Sequence, residues 1–367
     1  MTEPVTGVGV VGAGVISEQY LQTLSGAPGV DVRFVADRDP ERARARAQEF
    51  DVPAWGTYDD LLADSTVDLV VNLTVPQAHA EVSVAALESG RHVWSEKPLA
   101  TTLEDARAVL SAAETADRRV GVAPDTFLGT GLQTGLAAIR DGRVGRPRSA
   151  SCAFQYGGPD IWHPSPEFLF AEGGGPVLDV GPYHVTALVQ VFGPVRRVTA
   201  RGVTTRRRRR VETGPRAGTE FDVEVPTHVT ALYEFADGSV ADAVFSFDAP
   251  VQRMVLEVAG TEGGVRLVDP NQFTGTTSLV AFDGSEEPLE PRGAAVDGRG
   301  AGVVDIARSL HDGTPHRASG ELALHVLEVL LATERSVADG SSVEITSTVA
   351  AADLLPADAT PAEAVTV

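Results

Sequence analysis

The chain has 367 residues, 43% of them hydrophobic, and a formal net charge of −21 at pH 7. At roughly 150 residues per domain, this length predicts two domains with sizeable cores. The acidic charge argues against nucleic acid and anionic membranes as partners. No stretch has the roughly 18 consecutive apolar residues of a membrane helix, and the first residues lack a signal-peptide pattern. The one cysteine, Cys152, cannot form an internal disulfide, so the cytoplasm is the expected compartment.

The first third of the chain alternates between short apolar strands and helices. The predicted strands are 5–11, 32–36, 68–73, 91–95 and 120–123. The predicted helices run to about residue 24, onward from Pro40, and over 77–88 and 103–117. Strands of near-continuous apolar residues, each followed by a helix, indicate a doubly wound parallel sheet. We therefore predict a Rossmann domain over residues 1–125, in an α/β fold.

The pattern changes after residue 125, where successive strands with short turns predominate. The predicted strands are 149–155, 195–205, 221–235, 239–248, 251–259 and 264–268. The predicted helices are 131–141, 177–191, 302–312 and 320–338. This order predicts an α+β domain over residues 126–350, built on a large, mostly antiparallel open sheet. The tail 351–367, rich in Ala, Thr, Pro and acidic residues, is expected to be disordered.

A glycine motif, Gly12-Ala13-Gly14-Val15-Ile16-Ser17, joins the first strand to the first helix. Gly12 permits a tight turn, and Gly14 lets the backbone approach a pyrophosphate at the helix N-terminus. Ser17 takes the place of the usual third glycine or alanine and is small enough for close packing. Gly12, Gly14, Val15 and Ile16 are therefore predicted to bind a dinucleotide.

Asp37 ends the second strand, where a carboxylate is expected to accept a hydrogen bond from the ribose 2′-hydroxyl of NAD. A carboxylate there repels a 2′-phosphate, so NAD is predicted over NADP. Arg38 keeps NADP possible, because its guanidinium can accommodate that phosphate.

Two further strands end in residues suited to a cofactor crevice, because ligands of open α/β sheets bind at the carboxyl ends of strands. Thr74 and Pro76 follow the strand 68–73 and are predicted to line this crevice. His79 begins the next helix and either faces the cofactor or is a structural histidine. Glu96 and Lys97 follow the strand 91–95.

Lys97 is the only lysine among 30 basic residues. An arginine is always protonated, whereas a desolvated lysine amine can exchange protons, so Lys97 is a candidate catalytic group. Beside a nicotinamide, its amine would bind a substrate hydroxyl and help to acidify it. Glu96 would orient either the ribose or the amine. The alternative is a surface salt bridge.

The predicted helix 177–191 carries the second candidate group, Asp179-Val180-Gly181-Pro182-Tyr183-His184. Asp179 and Tyr183 are four residues apart and share a helix face, whereas His184 is less well aligned. Tyrosine, histidine and carboxylate are common proton-transfer groups. The alternative is a helix start with incidental polar residues.

The remaining chemistry-bearing residues give weaker signals. No pair of the eight histidines has a metal-ligand spacing, so no metal site is predicted. Cys152 lies in a predicted strand and is expected to pack in the core. The run Arg206–Arg210 is expected to be a solvated loop between strands, and the alternative is a site for an anionic partner.

Together these motifs resemble the glucose–fructose oxidoreductase / inositol dehydrogenase / rhizopine catabolism (Gfo/Idh/MocA) family. The resemblance covers about residues 5–340. It rests on the glycine motif, on Thr-x-Pro-x-x-His at 74–79, on Gly-Arg-His-Val-Trp-Ser-Glu-Lys-Pro at 90–98, and on Gly-Gly-Gly at 173–175 with Asp-x-Gly-x-Tyr at 179–183.

The resemblance implies NAD(P)-dependent oxidation or reduction of a sugar, polyol or related compound, by a homo-oligomer (dimer or tetramer) whose open sheet forms the interface. It implies that Lys97 and Asp179 contact substrate hydroxyls and that Tyr183, or the adjacent His184, transfers the proton. Trp162 stands where members carry a Trp-Arg pair near the nicotinamide, with His163 in place of the arginine. Asp125 stands where members often have asparagine and would touch cofactor or substrate.

Two other activities fit the same pattern. One is a glycosidase that retains NAD and reverses a transient oxidation within each cycle. The other is a non-catalytic protein that senses the nucleotide.

Overall fold

The computed structural model describes residues 5–293 and 296–356 of the chain. The helices are α1 (Val15–Leu24), α2 (Pro40–Glu49), α3 (Tyr58–Ala63), α4 (His79–Glu88), α5 (Leu103–Ala116), α6 (Thr130–Arg140), α7 (Gly175–Phe192), α8 (Ala301–Asp312) and α9 (Gly320–Asp339). The first six strands are β1 (Thr6–Val11), β2 (Val30–Ala36), β3 (Ala54–Gly56), β4 (Leu69–Asn72), β5 (His92–Ser95) and β6 (Val120–Val122).

The later strands belong to the second half of the chain. They are β7 (Pro147–Gln155), β8 (Val195–Val203), β9 (Arg208–Arg210), β10 (Glu220–Asp222), β11 (His228–Phe235), β12 (Val240–Ser246), β13 (Arg253–Gly260), β14 (Gly264–Arg266), β15 (Ser278–Val280), β16 (Glu286–Pro288) and β17 (Val343–Glu344). Among the described residues, no helix combines the length and the apolar character needed to cross a membrane.

The chain divides into two compact units that differ from the contiguous domains expected from the sequence. The first unit takes its described residues from Met1–Gln133, Arg292–Leu324 and Ala352–Val367. The second takes them from Thr134–Pro291 and His325–Ala351. Each unit is therefore assembled from separated segments, which a reading along the chain cannot detect.

The first unit contains a six-stranded parallel sheet in the order β3-β2-β1-β4-β5-β6. All six residues of β1 are buried, as expected for a strand with helices on both faces. The strand order reverses between β1 and β4, which is the point where ligands bind in such sheets. The predicted doubly wound fold is confirmed.

The second unit contains a nine-stranded sheet in the order β16-β15-β14-β13-β7-β12-β11-β8-β17. Its pairs are antiparallel except for β7 and β12, which run parallel at its centre. Helix α7 packs on β7, β11 and β12. In β11, buried and more exposed positions alternate, so one face of this strand is in the core. The predicted mostly antiparallel sheet is confirmed.

Two local expectations need correction. The predicted strand 221–235 is two strands, β10 and β11, and Pro226 lies between them, where its missing N–H interrupts a sheet ladder. Part of the expected disordered tail is ordered, because Leu355 is buried and its N–H donates to Gln133 Oε1 over 2.8 Å. Residues 357–367 of that tail lie outside the described residues.

The arginine run also differs from expectation, since it is not a uniformly solvated loop. Arg208–Arg210 forms β9, which pairs with β10 in a separate two-stranded sheet. The side chain of Arg209 is fully buried, because it forms ion pairs with Asp160 and Asp248. The other four arginines of the run are exposed.

Candidate active site

The glycine turn has the geometry that a dinucleotide requires. Gly12 has φ of +100°, and a Cβ there would lie 2.6 Å from the carbonyl oxygen of Leu73, so only glycine fits. Gly14 is the N-cap of α1, has open space where a Cβ would stand, and leaves the helix without a side-chain cap. The first N–H groups of α1 therefore remain available to an anion. Val15 is exposed and Ile16 is half-buried at this end of the helix.

Asp37, immediately after β2, is tied to the glycine turn. Its Oδ2 accepts a hydrogen bond of 2.8 Å from the N–H of Ala13, and its Oδ1 accepts one of 3.0 Å from the N–H of Asp39. The carboxylate thus supports the turn and remains partly accessible at the carboxyl end of β2. The adjacent Arg38 is exposed.

Replacing Asp37 with asparagine is expected to lower kcat/KM with NAD about tenfold or more, because a hydrogen bond to a charged group contributes about 1.5–3 kcal/mol. The amide oxygen still accepts from the Ala13 N–H, although the Asp39 N–H loses its acceptor, and the lost charge no longer repels the 2′-phosphate of NADP. Initial rates with each coenzyme measure the change in preference. Asp39→Asn removes a charge from the same loop and is the control. An unchanged ratio of NAD to NADP efficiency in Asp37→Asn would contradict this assignment.

A network of buried polar groups shapes the loop after β4. Asn72 Oδ1 accepts from the Thr74 N–H over 3.2 Å and from its hydroxyl over 2.6 Å, and Asn72 Nδ2 donates to the carbonyl oxygen of His79 over 3.0 Å. Thr74 is half-buried and Pro76 exposed at this strand end. The sequence reading did not single out Asn72, although a polar residue ending an apolar strand was the available signal.

His79 links the loops that follow β4 and β5. Its ring is buried, and its nitrogens lie 2.7 Å from the carbonyl oxygen of Pro98 and 3.1 Å from that of Thr74. Both ring nitrogens therefore have protein partners. Of the two interpretations that the sequence left open, these contacts support the structural one.

Lys97 follows β5 and precedes a cis peptide bond to Pro98. Glu96 Oε2 accepts from the Lys97 N–H over 3.0 Å, and Glu96 Oε1 accepts from the Tyr20 hydroxyl over 2.8 Å. The indole Nε1 of Trp94 donates to that hydroxyl over 3.2 Å. Burial, and then the charge of Glu96, raise the pKa of Tyr20 well above its usual value, so the phenol remains a donor. Glu96 thus fixes the Lys97 backbone, a role that Tyr20 and Trp94 support and that motif reading could not reveal.

Asp125 has backbone partners from a distant segment. Its fully buried Oδ2 accepts from the N–H groups of Gly300 over 2.9 Å and Gly302 over 3.1 Å, at the start of α8. Burial raises its pKa to about 6, although the charge of Arg299 and the two N–H groups act in the opposite direction. The Asp125 carboxylate therefore caps α8. The resemblance implied a different role for Asp125, which was contact with cofactor or substrate.

Asp125→Asn is expected to stabilise the protein at pH 8 but not at pH 4. The pKa of Asp125 in the folded state is about 6, above the ordinary 3.8. The stability that the Asp125 side chain contributes is therefore complete below pH 3.8, and it is lost as the pH rises through 6, because the buried carboxyl then becomes charged. The difference between these two pKa values corresponds to at most about 3 kcal/mol in the free energy of unfolding. Urea unfolding at both pH values measures the free energy of unfolding, with exposed Asp51→Asn as the control. Equal effects at the two pH values would contradict the burial of this charge.

In the second unit, α7 carries the candidate proton-transfer residues, and they differ in their exposure. Asp179 is partly exposed and Tyr183 is 7% exposed. His184 is buried against the rings of Phe154 and Phe245, with centroids 6.0 and 5.4 Å away. Its Nδ1 lies 3.3 Å from the Val180 carbonyl oxygen, which is an intrahelical contact. Burial lowers the pKa of His184, so the ring is neutral and enclosed in the core.

Trp162 lies at the end of a short turn and is 56% exposed. Its indole lies near the Tyr156 hydroxyl, and its ring centroid is 5.4 Å from that of His163. Burial is the main cause of a raised pKa at Tyr156, and the charge of Asp179 adds to it. Trp162, Tyr156 and Asp179 therefore share one region of the second unit.

The remaining sequence expectations concern metals and the cysteine. In the described part of the chain, no group of three or more His, Cys, Asp or Glu side chains is arranged to hold a metal ion. Cys152 is buried in β7, where burial raises the pKa of its thiol. The thiol is thus packed in the core, as the sequence predicted.

Comparisons with known proteins agree with this geometry. The model of the "Oxidoreductase family, NAD-binding Rossmann fold" matches residues 6–123, and that of the "GFO/IDH/MocA C-terminal domain" matches residues 133–266. The chain belongs to the GFO/IDH/MocA family. This GFO/IDH/MocA protein is thus an NAD(P)-dependent oxidoreductase, and the predicted resemblance is confirmed.

Several relatives of this GFO/IDH/MocA protein match along most of their length. It is 29% identical to the 1,5-anhydro-D-fructose reductase of Ensifer adhaerens, over 92% of this chain and 98% of that one. It is 28% identical to D-xylose 1-dehydrogenase (NADP(+)) 2 of Haloferax volcanii, over 92% and 99%. In fold it is similar to an NAD binding oxidoreductase from Klebsiella pneumoniae, with a TM-score of 0.81 and 22% identity over 93% and 99% of the two chains.

Proposed function

We propose that this protein transfers a hydride between nicotinamide and a carbinol carbon of a sugar, polyol or glycoside, with NAD preferred over NADP. The observation that supports this best is the sheet order. The glycine turn, Thr74 and Lys97 follow three neighbouring parallel strands, β1, β4 and β5, at the same edge of the sheet. The names of relatives, sugar dehydrogenases and reductases, support a carbohydrate substrate.

The candidate residues have distinct roles in the proposed chemistry. Bound nicotinamide supplies the hydride acceptor or donor. In the direction of oxidation, the Lys97 amine binds the reacting hydroxyl and stabilises negative charge that develops on its oxygen. The phenolate form of Tyr183 accepts the hydroxyl proton and becomes the neutral phenol, and Asp179 binds a second hydroxyl. For the proton we favour Tyr183 over His184, since His184 is enclosed between Phe154 and Phe245.

A panel of monosaccharides, inositols and glycosides, each assayed with NAD and with NADP, tests the proposal. We expect one NADH to form for each molecule oxidised of at least one free sugar or polyol. Release of a sugar from a glycoside without net NADH would instead support the NAD-retaining glycosidase. Binding of NAD without turnover of any compound in the panel would support a nucleotide sensor.

We also propose that the protein is a cytoplasmic homo-oligomer, a dimer or tetramer. The strands β11 and β12 carry exposed apolar side chains, Leu232 (42% exposed) and Val240 (39%), beside the polar Thr230 and Asp242. A mixed surface of this kind suits association of one sheet with another. Light scattering measures the mass in solution, and a single species near the 38.4 kDa of one chain would contradict the oligomer.

A further inference from the structure

The buried arginine of the run 206–210 has no part in the proposed chemistry, yet its burial needs an explanation. Arg209 has a fully buried side chain, whereas its neighbours in the run are exposed. Removing a guanidinium from water is costly unless charged and polar partners compensate for it. The other arginines of the run are exposed, so the burial of Arg209 is explained by the groups around it and not by its residue type.

Those surroundings are two carboxylates and two backbone carbonyls. Arg209 forms ion pairs with Asp160 and Asp248, both nearly buried. Its Nη1 donates to the carbonyl oxygen of Gly157 over 2.9 Å, and its Nη2 donates to that of Phe247. The guanidinium also stands over the ring of Phe170, 4.7 Å from the centroid. Arg209 therefore joins the segments that follow β7 and β12.

Two of these partners lie in the loop that presents Trp162. Gly157 precedes the short turn Pro159–Ile161 and Asp160 lies within it, and this turn leads directly into Trp162. Asp160 is 4% exposed and Trp162 is 56% exposed, so the base of this loop is fixed while the indole is presented to solvent. Because the Trp162 indole lies near the Tyr156 hydroxyl, a shift of the turn would change the position of the indole relative to Tyr156.

The segment 206–222, which contains β9 and β10, holds the same loop at further points. The N–H of Glu212 donates to the carbonyl oxygen of Asp160 over 3.0 Å. Arg216 forms an ion pair with Glu167. A Cβ on Gly214 would lie 2.8 Å from the Cβ of Pro164, so the two segments are in close contact there. The segment 206–222 is thus a clamp along the whole loop, with Arg209 as its buried anchor.

We propose that this clamp determines which sugars the enzyme accepts, by fixing the position of Trp162. An exposed indole face suits the apolar C–H face of a ring-shaped sugar or cyclic polyol. Arg209 is a positioning residue, which acts on Trp162 through Asp160 and Gly157 and does not itself meet the substrate. The inference rests on the proposed function for the sugar, but the position of Trp162 is measurable without any substrate.

The test combines kinetics with the fluorescence of Trp162. In a Trp55→Phe background, the two remaining tryptophans are Trp94, which is fully buried, and Trp162. Quenching by acrylamide then reports mainly on Trp162. The variants are Arg209→Lys, which keeps the charge but loses the planar fork, and Asp160→Asn, which keeps an acceptor and the pair with Asp248. Arg148→Met, at an exposed arginine outside the clamp, is the control.

In both variants we expect the quenching constant of Trp162 to rise and the KM for the sugar to increase about tenfold, since small misplacements of positioning groups are costly. We expect the KM for NAD to stay within about threefold, because these substitutions leave the glycine turn and Asp37 unchanged. Folded variants with unchanged quenching and unchanged sugar KM would overturn the clamp. If no sugar is turned over, the proposed function fails. A rise in the quenching of Trp162 would still support the role of the clamp in positioning Trp162.

Discussion

Replacing Lys97 with methionine is expected to lower kcat for the sugar by about two to four orders of magnitude, the usual contribution of a positioned proton-handling group. Methionine keeps most of the side-chain volume but removes the amine that binds the reacting hydroxyl. NADH binding should change less than about threefold, because the glycine turn and Asp37 are untouched. Initial rates and NADH fluorescence titration measure the two quantities.

Two further variants and one labelling experiment test this prediction. Lys97→Arg keeps a positive charge but cannot exchange a proton, so it should also be impaired by at least about tenfold. Arg107→Met removes an exposed cation from α5 and should behave as the unmodified protein. Since Lys97 is the only lysine, amine-specific labelling followed by mass spectrometry reports on this side chain, with the amine of the first residue as reference. Wild-type turnover in Lys97→Met would end the assignment.

Tyr183→Phe is expected to reduce kcat by about two orders of magnitude or more, because it removes the oxygen that accepts the substrate proton. The ring remains, so the packing of α7 is retained. His184→Leu should keep kcat within about threefold and leave the fold intact, since a buried imidazole nitrogen without a partner is replaced by an apolar group. Steady-state kinetics and circular dichroism on both variants decide between the two residues.

The reverse result would assign the proton transfer to His184. If folded His184→Leu loses turnover and Tyr183→Phe retains it, the proton passes through His184. That result would also require the imidazole to leave its place between Phe154 and Phe245 when substrate binds.

The sequence by itself determined most of the local structure and which side chains follow the strand ends. Continuous apolar runs and the glycine motif predicted the parallel sheet and the turn at Gly12, because those patterns reflect interactions within a few residues. The position of Lys97 directly after a strand placed it at the ligand-binding edge. Most element bounds agree with prediction to within a few residues.

Only the tertiary structure decided which polar residues are buried and which turns and helix ends they support. Asp125 caps α8 across 175 residues of chain, and Tyr20 reaches Glu96 across 76. Arg209 is buried because Asp160 and Asp248 meet it from two other segments. The sequence shows periodicity and neighbours, but the burial of a charge depends on partners that folding brings together from distant parts of the chain.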